Sequence, residues 1–152
     1  MDTVEIRLAR DEEYEAVAEL RWRWELEHTD APDIAREEFT AHFAAWARAH
    51  ADSHRCTVVA QEGALIGMAW LAVMRRVPTP QSLDRVCGDL QSVYLVPQER
   101  AKGLGGRLVA AVLEDARKLG MNQVTVHSSG RAVPVYARNG FAASPKLLMS
   151  EL

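Results

Sequence analysis

Polar and apolar residues alternate from Val4 to Leu8, which predicts a strand with one buried face. The period then lengthens. Asp11 stands where a helix cap belongs, and Glu12, Glu13 and Glu15 follow in the first turn, where the helix dipole favours negative charge. The predicted helix runs to about His28. At a helical pitch Val17, Leu20 and Trp24 share a core face, while Ala18, Trp22 and Leu26 gather on a roughly opposite one. A helix apolar on two sides is either sandwiched between other elements or leaves Trp22 and Leu26 to line a groove or a partner surface. Pro32-Asp33 opens a second helix, to about His50, with Ala35, Phe39, Phe43 and Trp46 along one side.

Strands are predicted for Cys56–Ala60 and Leu65–Val73, joined by a tight turn at Glu62-Gly63. Pro78-Thr79-Pro80 marks a loop, and Asp89–Val96 a further strand that Pro97 stops. Leu104–Leu119 reads as a helix with Leu104, Leu108, Ala111 or Val112, and Asp115 or Ala116 on one face, closed by Gly120. A buried strand, Asn122–His127, precedes a short helix from Arg131 to Asn139. Phe141 and Leu147–Leu152 supply closing strands. The order β-α-α-β-β-β-α-β-α-β describes an α/β fold: one mixed sheet with helices on its faces. No repeat, linker or low-complexity segment divides the chain, so residues 1–152 read as a single domain.

The chain of 152 residues, 48% of them hydrophobic and 26% charged, is large enough to form a core without metal or disulfide. The longest apolar stretch, Ala64 to Met74, falls short of the ~18 residues of a membrane span. The segment Met1–Arg7 lacks the basic-then-apolar pattern of a secretory leader, so a cytoplasmic protein with no membrane partner is expected. Cys56 and Cys87 fit no zinc spacing and read as buried thiols in a reducing compartment. The net charge of −3 hides an asymmetry: residues 1–55 hold 14 acids against 7 bases, and the remainder 7 against 11. A weakly acidic chain argues against nucleic acid as a partner. The local basic cluster of Arg100, Lys102 and Arg107 suits a small polyanion better.

That cluster surrounds the most informative stretch, Val93 to Leu108. A strand stops at Pro97, a loop follows, and Gly103, Gly105 and Gly106 lead into a helix. Glycines let a backbone approach a ligand closely, and the first N–H groups of a helix attract anions. The plain alternative is a glycine-rich connection with exposed basic side chains. A Walker loop is excluded because no Gly-Lys-Ser/Thr occurs. A dinucleotide fingerprint fails because Leu108 stands where its third glycine belongs, and the next strand ends without a carboxylate.

Arg100-Ala-Lys-Gly103-Leu-Gly105 after Leu95-Val96-Pro97, followed by Tyr136-Ala-Arg-Asn-Gly140-Phe141, resembles the two motif blocks of the GNAT superfamily of acetyl-CoA-dependent N-acetyltransferases. The resemblance spans essentially the whole chain. It implies acetyl-CoA as co-substrate, with the pantetheine arm along the backbone of Val93, Tyr94 and Leu95. The pyrophosphate would lie on the backbone of Arg100, Ala101, Lys102, Gly103, Leu104, Gly105 and Gly106. Ser129 stands where the family often has asparagine, with Ser128 beside it. Tyr136 matches the tyrosine that protonates the departing thiolate; its other reading is a core tyrosine packed beside Phe141. Backbone N–H at the splay of the central strand would stabilise the oxyanion. Such enzymes are often dimers, and an exposed Trp22/Leu26 stripe is compatible with a homodimer.

For a general base the resemblance points to a carboxylate on the central strand. Asp89 is the nearest, unless it is a surface turn residue after Gly88. His127 titrates in the useful range but also reads as a structural histidine. Glu25, Glu27 and Asp30 would attract an ammonium group or form a solvated face, and Trp22, Leu26 and Glu25 are candidate acceptor contacts. His50 and His54 lack an accompanying carboxylate motif, so no metal is expected. The expected activity is acetyl transfer to a primary amine of a small cationic molecule. A protein or peptide acetyltransferase and a silent acyl-CoA sensor are the alternatives.

Overall fold

Five strands lie in one sheet in chain order: β1 (Val4–Leu8), β2 (His54–Gln61), β3 (Ala64–Arg76), β4 (Arg85–Leu95) and β5 (Val124–Val126). The structure is a computed structural model describing residues 3–152. Met1 and Asp2, the start of the segment read for a leader, lie outside the described residues. Neighbours from β1 to β4 are antiparallel, and β5 joins β4 in parallel. Helices α1 (Tyr14–Leu26) and α2 (Arg36–Ala49) separate β1 from β2; α3 (Leu104–Lys118) carries the crossover from β4 to β5, and α4 (Val133–Arg138) follows β5.

The sheet is buried on both faces, which is why β2 and β3 read as nearly continuous apolar runs rather than alternations. On the front face Cys56, Val58, Met68, Trp70, Tyr94 and Val96 meet Val17 and Leu20 of α1 and Ala44 and Ala47 of α2. On the back face Val59, Ala69, Leu71 and Leu90 meet Leu108, Val109, Val112 and Ala116 of α3. The second apolar face of α1 is explained by a sandwich. Ala18 is fully buried, and Trp22 packs on Phe39 of α2 with ring centroids 5.9 Å apart. Leu26 alone is left out, 46% exposed, so no continuous Trp22/Leu26 stripe exists. Both cysteines are free and buried, and burial pushes the Cys56 thiol up.

Three sequence expectations are corrected. The second helix starts at Arg36 instead of Pro32, because Ala35 is extended (φ −69°, ψ 144°) and caps it. The strand expected over Asn122–His127 shortens to three residues, for only Val124, Thr125 and Val126 find partners on β4. The closing strands do not form. A turn at Ser144, whose Oγ accepts from Lys146 N–H at 3.2 Å, holds the chain in irregular conformation beyond Phe141. Leu147, Leu148 and Met149 are consecutive, so they fit no one-sided strand, and all three are largely exposed.

Candidate functional site

Two features of β4 open the sheet. Its pairing with β5 stops after Leu90↔Val126, beyond which the strands part. Its register with β3 passes from Trp70↔Gln91 to Met68↔Tyr94, so Ser92 and Val93 together oppose Ala69. This is a β-bulge, with Ser92 in the left-handed region at φ 51°. The bulge returns Val93 to the back face with Leu90, three positions earlier. Val96 N–H bonds Ile66 O at 2.9 Å across to β3, so the N–H and C=O of Val93 and Leu95 alternate toward the gap. The backbone of Tyr94, paired with Met68, is turned to β3.

The gap leads to the start of α3. Gly103 caps that helix at φ 82°, a conformation only glycine adopts without strain. The N–H groups of Leu104, Gly105 and Gly106 precede the first intrahelical acceptor bond, made by Arg107 N–H to Gly103 O. No acid occupies this first turn, whereas α2 opens with Glu37 and Glu38. A Cβ at Gly105 would come no nearer than 3.7 Å to Leu95 Cδ1, and one at Gly106 no nearer than 3.8 Å to Asn139 Nδ2. Both distances are ordinary van der Waals contacts, so internal packing does not require glycine at either position. Ala101, within the loop, sits at φ 65°.

The basic residues around this cradle are not equally free. Arg100 Nε donates to Leu95 O at 2.9 Å, its Nη2 donates to Glu27 Oε2 at 3.1 Å, and the guanidinium lies 5.4 Å over the Tyr94 ring. Tyr94 Oη donates to the same Glu27 oxygen at 2.6 Å. Burial opposes ionisation of Glu27, but these two donors outweigh it and hold its carboxyl below the usual range. Burial and then the Glu27 contact push the Tyr94 phenol up to about 12. Lys102 pairs with Glu99 at 3.2 Å, and Arg107 is exposed.

Tyr136 is buried on the back face and packs edge-on against Phe141, ring centroids 5.4 Å apart. It also lines a cavity of about 620 Å³ between α3, β5, α4 and the chain after Gly140. Burial raises its phenol above the ordinary value. Ser128, which lines the same cavity, spends its hydroxyl on Ser129 O at 2.7 Å, and Ser129 is exposed.

Asp89 and Gln91 alternate with Leu90 and so face the front. Thr125 Oγ1 donates to Asp89 Oδ1 at 2.8 Å, and Gln91 Nε2 to Oδ2 at 3.0 Å. Asp89 is thus a strand residue beside the point where β4 and β5 part, not a turn residue. His127, just past β5, is exposed. Glu25 lies 3.1 Å from Arg21, whose guanidinium stacks on Trp24 at 4.6 Å. Among the described residues no three His, Cys, Asp or Glu side chains converge as a metal site. No described helix is long and apolar enough to cross a membrane.

Sequence reasoning missed the Thr125 and Gln91 contacts, the Glu27 link to the loop and the bulge. Only the bulge left a trace, the spacing of three between Leu90 and Val93 where a strand requires two.

A model of the acetyltransferase (GNAT) family matches residues 14–141. Glucosamine 6-phosphate N-acetyltransferase of Trypanosoma brucei brucei is 29% identical over 90 residues, 59% of this chain and 59% of that protein. The chain spans between 51% and 59% of the length of the curated relatives it matches. Among solved structures, a Trypanosoma brucei acetyltransferase superposes with a TM-score of 0.74 and 25% identity, covering 99% of this chain and 100% of that one. A predicted acetyltransferase from Clostridium acetobutylicum, solved with acetyl-CoA, gives a TM-score of 0.76 at 18% identity over 98% of this chain and 96% of that one.

Proposed function

The chain belongs to the acetyltransferase (GNAT) family, and from that premise we propose that it transfers an acetyl group from acetyl-CoA directly to a primary amine of a small molecule. One observation carries this reading: the gap between β4 and β5 opens onto a helix start whose glycines no internal packing demands. A diphosphate would lie on the N–H groups of Leu104, Gly105 and Gly106, where backbone donors and the helix dipole act together. The edge of β4 at Val93, together with the N–H of Leu95, whose carbonyl is taken by Arg100, would pair with the amide groups of a pantetheine arm. A small acceptor is favoured by the aromatic packing of Trp22, Phe39, Phe43 and Trp70, which fills the space beside α1 and α2. The trypanosomal relative is also named for a small amine.

When bound, acetyl-CoA supplies the activated thioester. The protein's part is positioning and proton transfer. Asp89, held by Thr125 and Gln91 on the front face, is placed to take the ammonium proton directly or through a water. His127 is the second candidate, and its exposure makes it the weaker one. A backbone N–H at the gap would stabilise the developing oxyanion. Tyr136 returns a proton to the thiolate, with Ser129 at the edge of the cofactor site. Trp22 and Glu25, being tied to Phe39 and Arg21, shape the acceptor wall more than they bind, while Leu26 is free to touch an acceptor.

The acid excess of residues 1–55 favours a cationic acceptor. Four of these acids are engaged within the protein, Glu13, Glu15, Glu19 and Glu27 pairing with Arg7, Arg48, Arg36 and Arg100. Among the described residues Asp30 and Asp33 form no such pair and remain available near the end of α1. A single cytoplasmic domain, acting without nucleic acid or metal, completes the reading. Thiol release from acetyl-CoA, measured across a panel of amines, tests it. Amine-dependent release supports the enzyme; tight acetyl-CoA binding without turnover on any amine replaces it with a sensor.

A further inference from the structure

The pyrophosphate loop is short of fastenings. Between Val96 and α3 the backbone makes only two turn bonds, Glu99 N–H to Val96 O and Arg100 N–H to Pro97 O. Ala101 is held in a conformation that costs an L-residue about 1–2 kcal/mol. Lys102 and Glu99 pair with each other inside the segment, which ties it to nothing else. The side chain that fixes the loop to the body is Arg100, and it reaches two elements at once: Leu95 O at the edge of the gap and Glu27 just past α1. Glu27 is in turn fixed by the hydroxyl of Tyr94, which is itself buried and stacked on Trp24 with ring centroids 5.5 Å apart.

We infer that Glu27 is a positioning residue for the diphosphate of the co-substrate, acting through Arg100. Its carboxylate accepts from Arg100 and Tyr94 together, so the guanidinium lies along the gap. The loop is thereby presented with its N–H groups already arranged. Ordering a backbone residue costs about 1–2 kcal/mol, and a loop ordered before binding spares the ligand that cost. This assigns Glu27 a task other than attracting an acceptor ammonium, since both its donors belong to the protein. It also means that Arg100 serves the loop as a clasp and is not a free phosphate ligand. The inference rests on the proposed use of the α3 start by acetyl-CoA.

Glu27→Gln keeps an oxygen for the Tyr94 hydroxyl and removes the charge, so the fold is retained; a melting curve verifies this. Four measurements follow. Amide exchange without ligand should quicken at Glu99, Arg100 and Arg107 while the centre of α3 is unchanged. The Kd for CoA by calorimetry should rise roughly tenfold, the scale of weakening one charge-assisted hydrogen bond. The Kd for 4′-phosphopantetheine, which lacks the diphosphate, should change less than about twofold, and kcat at saturating acetyl-CoA should stay near wild type. Unchanged exchange overturns the inference whatever the ligand does. Tighter CoA binding overturns it too, by showing that Glu27 competes with phosphate for Arg100. Equal weakening of both ligands assigns Glu27 a general structural role instead. If wild-type protein binds no CoA, the functional reading fails, while the exchange result still decides the clasp.

Discussion

Thr125 Oγ1 donates to Asp89 Oδ1 at 2.8 Å across the parallel pairing of β4 with β5, one residue before that pairing ends. The bond fixes one carboxylate oxygen, and Gln91 holds the other. The two contacts together fix the orientation of the carboxylate on the front face. If Asp89 is the base, Asp89→Asn lowers kcat by roughly 10²–10⁴-fold and removes the acidic limb of the pH–rate profile. A loss below threefold with an unshifted profile transfers the role to His127 or to solvent. Thr125→Val should loosen the carboxylate and lower kcat without abolishing turnover, and Thr125→Ser should restore it.

The glycines of α3 separate stability from function. Gly106 lies in the first turn, and a methyl group added there would have no neighbour closer than 3.8 Å, so Gly106→Ala fits without a clash. Replacing a helical glycine by alanine stabilises by about 0.5–1 kcal/mol in a helix interior, and less at its end. If the start of α3 binds the diphosphate, the same methyl hinders the approach of a phosphate oxygen to the backbone. The expected outcome is a Tm equal to or above wild type with a weakened Kd for CoA, and Gly105→Val should weaken binding further. Unchanged affinity in both variants would remove the loop's functional meaning.

How much of this is legible in the sequence depends on the range of the interaction. The strands β2 to β4, α3 and the glycine turn before it follow from local pattern, because burial on both faces and the Gly103 turn are written into neighbouring residues. The closing strands fail as an expectation because a run such as Leu147-Leu148-Met149 is apolar without saying whether a sheet edge receives it. The Glu27–Tyr94–Arg100 link joins positions separated by 67 and 73 residues and leaves no local pattern. Glu27 accordingly reads as one more acid on a solvated face.

Acid should weaken the fold through Glu13. Hydrogen bonding from Arg7 comes first among its influences; burial opposes it, and the Arg10 backbone N–H adds to it, leaving the carboxyl at about 2. The folded value lies below the unfolded one, so this stabilisation is fully present above about pH 4.5. It is lost as pH falls from there toward 2. The shift corresponds to at most roughly 3 kcal/mol. Urea titrations at pH 7 and pH 2.5 should show a larger loss in wild type than in Glu13→Gln. Equal losses would assign acid sensitivity to other carboxylates.

Tyr136 carries the last prediction, and its surroundings sharpen it. The ring is packed against Phe141, so Tyr136→Phe preserves the contact and deletes only the hydroxyl. Burial raises the phenol's pKa, which keeps it protonated throughout the neutral range but makes it a reluctant donor. A thiolate, with an ordinary thiol pKa near 8.5, is the weaker base, so the transfer requires a site that also desolvates the thiolate. If that transfer limits turnover, kcat falls by roughly 10²–10⁴-fold, with CoA affinity within twofold and Tm unchanged. Tyrosine's deprotonation would also set a basic limb in the wild-type pH–rate profile, displaced upward from the ordinary phenol range by burial and absent from the variant. A lowered Tm with wild-type kcat would place the hydroxyl in the core and leave the thiolate to take its proton from water.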